Sequence, residues 1–285
     1  MKHEVRLLKR FMRSLDVYGA EIEKEGFSGY AAEVLVLNHS SFLDVLKYFS
    51  SISWEKPFTL RDPIDQKRDL AKAISNEKLA TMILASRAFL SKPSIQYFTS
   101  VRRKVRNKMK ERLYCLLFKH KVISEDILWG ELKRTSRKIV ARLAEIGFTI
   151  VRFDQCNRKG QSAILMLPLN EVVPRLEIKV GPPVAMRENC EKFLKENEQD
   201  SELIFVNREG RIVALKKKKH YKLKEALDYI ASDKAETVGI SKDLREGILR
   251  NRKVLSGREL LNYARKLPWV RECIRRVVSD TVGTG

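Results

Sequence analysis

The sequence predicts an α+β protein, a mostly helical first part followed by a mixed helix–strand second part, and three observations carry that expectation. Apolar residues recur at helical spacing up to about residue 98. Short apolar runs separated by polar turns then follow one long amphipathic segment. A stretch of seven Lys or Arg within Val101–Arg112 separates the two patterns and marks the expected boundary, giving units of 1–98 and 99–285.

In the first part, Val5, Leu8, Phe11, Met12 and Leu15 form a stripe flanked by Arg6, Lys9, Arg10 and Arg13, an amphipathic helix with a basic side. Tyr18-Gly19 follows as a turn. A second helix is expected after Gly26-Phe27-Ser28-Gly29, with Tyr30, Val34 and Leu37 on one face. Ser41 is placed to cap a third helix, with Asp44 reaching back to it and Phe42, Val45, Leu46 and Phe49 buried. Arg61-Asp62-Pro63 must be extended, because the residue before proline avoids the helical region, and Asp65 caps a short turn after it. Ser75 opens a helix carrying Leu79, Met82, Ile83, Phe89 and Leu90, which Pro93 ends.

The second part begins with an apolar run at Leu113–Phe118 and a long helix over 124–147. Runs at 148–153 and 163–167 flank the turn Asn157-Arg158-Lys159-Gly160, and runs at 203–206 and 212–215 flank Asn207-Arg208-Glu209-Gly210, with a helix near 187–197 before them. This βαββ-then-αββ order predicts one antiparallel sheet under a helix pair, a ferredoxin-like or RRM-like sandwich. From Tyr221 onward the pattern is helical and basic.

Charge narrows the function. With 57 Lys and Arg against 36 Asp and Glu, the net charge is +21, which favours a polyanionic partner. The longest apolar runs fall far short of the roughly 20 residues that cross a bilayer, and the amino terminus has no secretory h-region. Cys115, Cys156, Cys190 and Cys273 lie far apart without metal-ligand spacing, so reduced thiols in the cytoplasm are expected. The four histidines do not cluster, and there is no P-loop and no nucleophile with a local histidine partner.

Three segments resemble the archaeal, class I CCA-adding tRNA nucleotidyltransferases. They are Glu4-Val5-Arg6-Leu7-Leu8-Lys9 with Val17-Tyr18-Gly19-Ala20-Glu21, then Gly26-Phe27-Ser28-Gly29-Tyr30, then Asp62-Pro63-Ile64-Asp65-Gln66-Lys67-Arg68. The likeness runs on through Ser75–Pro93 and, more thinly, through Ser136-Arg137-Lys138-Ile139 and Val180-Gly181-Pro182-Pro183. It implies that the first part is the helical second domain of such an enzyme and the remainder its tRNA-binding body with a helical tail. The head, with the carboxylates that hold two magnesium ions, is expected to be missing from this chain, either carried by a separate subunit or cut away, so this chain alone is expected to be inactive.

The resemblance further implies that Lys9 and Tyr18 reach the triphosphate of CTP or ATP, and that Arg68 selects the base. Cytosine and adenine each place a ring acceptor beside an exocyclic amino group, whereas uracil and guanine present a ring donor there, so a fixed guanidinium separates the two pairs. From the residues alone, a surface ion pair of Arg68 with Asp62 or Asp65 is the competing expectation, and Asp69 stands beside Arg68 where the family has an amide. The turn at Ser28 and Gly29 is implied to approach the tRNA end, with packing of Phe27 and Tyr30 in the core as its structural alternative. Arg102, Arg103, Lys104, Arg106, Lys217, Lys218 and Lys219 are candidates for phosphates of the acceptor and T arms. Two other expectations compete with a split enzyme: a stand-alone RNA-binding or chaperone-like module, and a dimer scaffold pairing through the carboxy-terminal tail.

Overall fold

The computed structural model describes residues 1–99, 107–121, 123–232 and 239–279. The chain divides into two compact units: Met1–Asn107 with Ile123–Leu132 and Val278–Gly285, and Lys108–Val122 with Lys133–Val277. Helix and strand are mixed as expected, with helices first, antiparallel sheets after them and helices again at the end.

The first unit is built on α1 (Lys2–Ser14), α2 (Gly29–His39), α3 (Phe42–Ser51) and α4 (Asn76–Ser91). Their starts follow from local chemistry: Ser28, Ser41 and Ser75 each accept a backbone N–H from the first turn. Asp44 does not reach the backbone of Ser41; it accepts the Ser41 hydroxyl at 2.6 Å. The Ser41 N–H donates instead to the His39 carbonyl at 2.9 Å, and Glu4 of α1 accepts the next amide, that of Phe42, at 2.9 Å. Leu8, Phe11, Met12, Phe27, Leu35 and Phe49 are wholly buried, and the Phe11 ring meets Phe42 and Phe89 edge-on at 5.5 and 5.6 Å. Leu37 departs from the expected stripe. Helix α2 buries Ala31, Ala32, Val34, Leu35 and Val36 and leaves Leu37 exposed in a groove.

The remaining elements are, in order, α5 (Asn107–Lys110), β1 (Tyr114–Lys119), α6 (Glu125–Ile146), β2 (Ile150–Arg158), β3 (Gln161–Pro168), β4 (Leu176–Pro183), α7 (Arg187–Asn197), β5 (Ser201–Val206), β6 (Arg211–Lys217), α8 (Leu223–Ile230), α9 (Lys242–Asn251), β7 (Lys253–Ser256), α10 (Gly257–Lys266) and α11 (Pro268–Val278). The expected single sheet is two. Strands run β2-β3-β1-β7 in one and β4-β6-β5 in the other, all neighbours antiparallel. The reason lies in β7, which pairs Val254 and Leu255 with Leu116 and Cys115 and so occupies the free edge of β1. At four residues it is too short to show a period of its own.

The hairpin between β2 and β3 turns through Lys159 and Gly160, both with positive φ, the two-residue geometry that matches strand twist. Gly247 of α9 lies against β1 so closely that a Cβ there would stand 1.9 Å from the Lys119 carbonyl oxygen. Gly247→Ala therefore forces α9 away from β1, and we expect a loss of about 3 kcal/mol in thermal unfolding. Gly130→Ala, within α6 and with open space around the new carbon, instead gains about 0.5–1 kcal/mol from helix propensity.

Candidate functional site

The site grows from the connection between α1 and α2. The Phe27 N–H donates to the Val17 carbonyl at 2.7 Å, the Gly19 N–H to the Phe27 carbonyl at 2.8 Å, and the Gly26 N–H to the Gly19 carbonyl at 2.7 Å. A Cβ on Gly26 would lie 2.3 Å from the Val17 carbonyl oxygen, so this pairing requires glycine. Lys78 anchors the start of the loop, donating to the Asp16 carbonyl at 2.6 Å and its carboxylate at 3.2 Å.

The paired loop delivers Tyr18 to the first turn of α2. There a Cβ on Gly29 would stand 2.9 Å from the Tyr18 hydroxyl and 3.6 Å from the Lys9 Nζ. Lys9, Tyr18, Ser28 and Gly29, far apart in the chain, thus meet at one helix terminus. Lys9 donates to Glu33 at 2.7 Å, and the Arg13 guanidinium sits 4.6 Å over the Tyr18 ring. The helix contributes its positive end and the two side chains a cation and a phenol, the donor set that suits a phosphate group.

Tyr30, the next residue of α2, extends the site. Its hydroxyl donates at 2.8 Å to Asp62, a carboxylate only 4% exposed. Asp62 also accepts the Ile64 N–H at 2.9 Å and the Asp65 N–H at 3.4 Å, and faces an Arg68 Nη1 at 3.7 Å. The Ile64 amide, then Tyr30, the Asp65 amide and the Arg68 charge hold its carboxyl below the usual aspartate range, against the opposing effect of burial. The Tyr30 phenol is pushed up, first by the same hydrogen bond. Arg68 keeps its side chain 65% exposed. Asp69 does not engage it; its Oδ1 accepts the Leu60 and Ala71 amides at 2.9 and 3.0 Å.

A groove of about 690 Å³ runs beside these groups, lined by Val5, Lys9, Tyr30, Glu33, Leu37 and Ile64 among others. The Tyr30–Asp62 pair was not singled out from sequence as part of a site. Its only signals were a tyrosine closing the Gly-Phe-Ser-Gly-Tyr segment and an aspartate before Pro63.

The basic candidates divide. Lys217 pairs with Glu202, and Lys218 donates to the Ile146 carbonyl at 2.7 Å, closing the end of α6. Lys219 is exposed. Arg102, Arg103, Lys104 and Arg106 lie outside the described residues. Among the described residues no three His, Cys, Asp or Glu gather where a metal ion would sit, and Asp62 already faces a guanidinium. No described helix is long and apolar enough to cross a membrane.

Residues 3–57 and 50–99 match the family described as tRNA nucleotidyltransferase, second domain, which sets the class of the helical unit. Residues 110–257 match CCA-adding enzyme, C-terminal domain. The chain is 32% identical over 234 residues to the CCA-adding enzyme of Saccharolobus islandicus, covering 77% of this chain and 55% of the relative. It is 36% identical over 213 residues to that of Pyrobaculum neutrophilum, covering 68% and 51%, and 33% identical over 267 residues to that of Pyrobaculum islandicum, covering 87% and 62%. The chain belongs to the CCA-adding enzyme family. It spans about half the length of the curated relatives it matches.

The Asp62 cluster has a pH signature. With its folded pKa below the ordinary 3.8, its contribution to stability is complete above that value and is lost as pH falls through the lower folded value. The difference in melting temperature between wild type and Asp62→Asn should therefore be largest at neutral pH and shrink below about pH 4. Tyr30→Phe should lower the melting temperature at neutral pH, because Asp62 loses a hydrogen-bond donor.

Proposed function

We propose that this chain is the nucleotide-pocket-completing and tRNA-binding part of a cytoplasmic enzyme that adds C, C and A to the tRNA 3′ end from CTP and ATP. Its first part, 1–98, grips the nucleotide, and 99–285 holds the acceptor and T arms. In this reading the chemical step belongs to a nucleotidyltransferase head with its carboxylates and magnesium, and no chemical step is assigned to the residues of this sequence.

The observation that carries this reading is the meeting of Lys9 and Tyr18 at the first turn of α2, one residue from the Tyr30–Asp62–Arg68 chain. A triphosphate at that helix end would draw Lys9 from Glu33, exchanging one carboxylate for a more highly charged anion. Arg68, held from behind by Asp62 and otherwise open, would donate to the ring acceptor shared by cytosine and adenine. Uracil and guanine present a hydrogen at that position, leaving two donors facing each other, which costs discrimination of roughly 1–3 kcal/mol. Exposed cations such as Lys219 supply phosphate contacts, each adding about 0.7–0.9 to the salt slope of tRNA binding.

The test combines the chain with a candidate head and tRNA lacking its 3′ end, and follows incorporation of each nucleotide. Both polypeptides should be needed for CTP and ATP to enter. Arg68→Ala should reduce the preference for CTP over UTP by about 10–100-fold, the loss expected for one base contact. Lys9→Ala should chiefly raise KM, by on the order of 10-fold for a lost charged hydrogen bond. Wild-type behaviour in both variants overturns the residue assignments, and incorporation by this chain without a head overturns the division of labour.

A further inference from the structure

Three cations of α1, Lys2, Arg6 and Lys9, line the groove beside the site, and among the described residues that line it Glu33 alone carries a negative charge. A carboxylate at the wall of a groove suited to a triphosphate opposes its ligand. Glu33 stands one helical turn beyond Gly29 on the same face of α2, and its Oε1 lies 2.7 Å from the Lys9 Nζ. The two partners are unequal. Lys9 has only 21% of its side chain exposed and is set by packing, with its Nζ and Cε 3.6 and 3.8 Å from where a Gly29 Cβ would stand. Glu33 is 53% exposed, so it is the partner with room to turn away. An ion pair this open shifts an equilibrium by no more than about fivefold, and a polyphosphate displaces it.

Displacement does not remove the carboxylate. A phosphate oxygen bonded to Lys9 lies about 3 Å from the Nζ. Glu33 begins 2.7 Å from that same nitrogen, so the two anions stand within roughly 6 Å of each other until Glu33 swings out. At that separation each negative charge on the ligand loses about threefold in affinity in a water-like medium. For an ion of three charges, partly screened by salt, the loss is on the order of 10-fold.

We propose that Glu33 is a displaceable counter-ion of the nucleotide site, holding Lys9 while the site is empty and driving out pyrophosphate after each addition. The proposal rests on the nucleotide reading above and deepens it. A site that serves three successive additions must clear pyrophosphate each time. CTP and ATP have a base to set against the repulsion, through Arg68, whereas pyrophosphate has only its charge. The carboxylate that the nucleotide tolerates therefore loosens the product. Lys9 then returns to Glu33, and the next nucleotide meets an ion pair in place of a cation already loaded with phosphate. A merely buttressing Glu33, which aims Lys9 at its ligand, predicts the opposite sign: its removal would weaken anion binding.

Calorimetric titration of the full chain with inorganic orthophosphate, pyrophosphate and tripolyphosphate at low salt tests this. Glu33→Gln keeps the size of the side chain and loses its charge. It should bind pyrophosphate on the order of 10-fold more tightly than wild type, with a smaller gain for orthophosphate and a larger one for tripolyphosphate. The gain should shrink to about twofold at 0.5 M salt, where screening is strong. Glu33→Asp, which keeps the charge, should restore pyrophosphate affinity to within about threefold of wild type. Circular dichroism and melting should be unchanged in both, since Glu33 is exposed. Lys9→Ala should weaken pyrophosphate by on the order of 10-fold. Binding by Glu33→Gln that equals or falls below wild type overturns the proposal, as does a gain that is the same for all three anions. If Lys9→Ala still weakens pyrophosphate in that case, the nucleotide reading survives. If Lys9→Ala binds like wild type, or wild type and Glu33→Gln bind no pyrophosphate at all, the proposal and the nucleotide reading fail together.

Discussion

The first unit's site depends on a carboxylate held almost wholly out of solvent. Asp62 is stable in its charged form only because Tyr30 from α2, two amides from its own turn and the Arg68 guanidinium surround it. Each of those partners is thereby placed. Tyr30 fixes the turn against the first turn of α2, the amides set the course of the chain after Pro63, and Arg68 is held from one side with the other open to a ligand. A single desolvated charge thus links the helix end where Lys9 and Tyr18 meet to the exposed Arg68 guanidinium.

The large positive charge is not uniformly available for binding. Lys9, Lys78, Lys217 and Lys218 all have partners within the chain, and Lys218 finishes a helix by meeting its carbonyl end. Such residues look in a sequence like any other member of a basic run. What separates them from solvent-facing cations such as Lys219 is the geometry of the neighbouring carboxylate or carbonyl, which belongs to distant segments.

The second unit shows the same dependence in its sheets. Two hairpins and two helices in the order found would ordinarily be read as one sheet. The four residues of β7 change this by occupying the edge of β1, so β4, β6 and β5 close a sheet of their own. That smaller sheet covers one face with α7 and leaves Leu176, Ile178, Val180, Leu203 and Phe205 exposed on the other.

Much of the local structure was legible in the sequence. Serines at 41 and 75 mark helix starts, the stripe of Leu8, Phe11 and Met12 marks a core face, and Lys159-Gly160 marks a hairpin turn, because each is a property of neighbouring residues. The segments around Lys9, Tyr18, Gly29 and Arg68 also identified the family. Tertiary structure alone decided that Glu4 caps α3, that Leu37 faces a groove and that Asp62 rather than Asp69 holds Arg68. It also decided that Leu176, Ile178 and Val180 face outward. The physical reason is common to all: short-range periodicity and capping are encoded within a turn or two of chain, whereas the partner of a charge, and which side of a sheet is covered, depend on segments brought together only by folding.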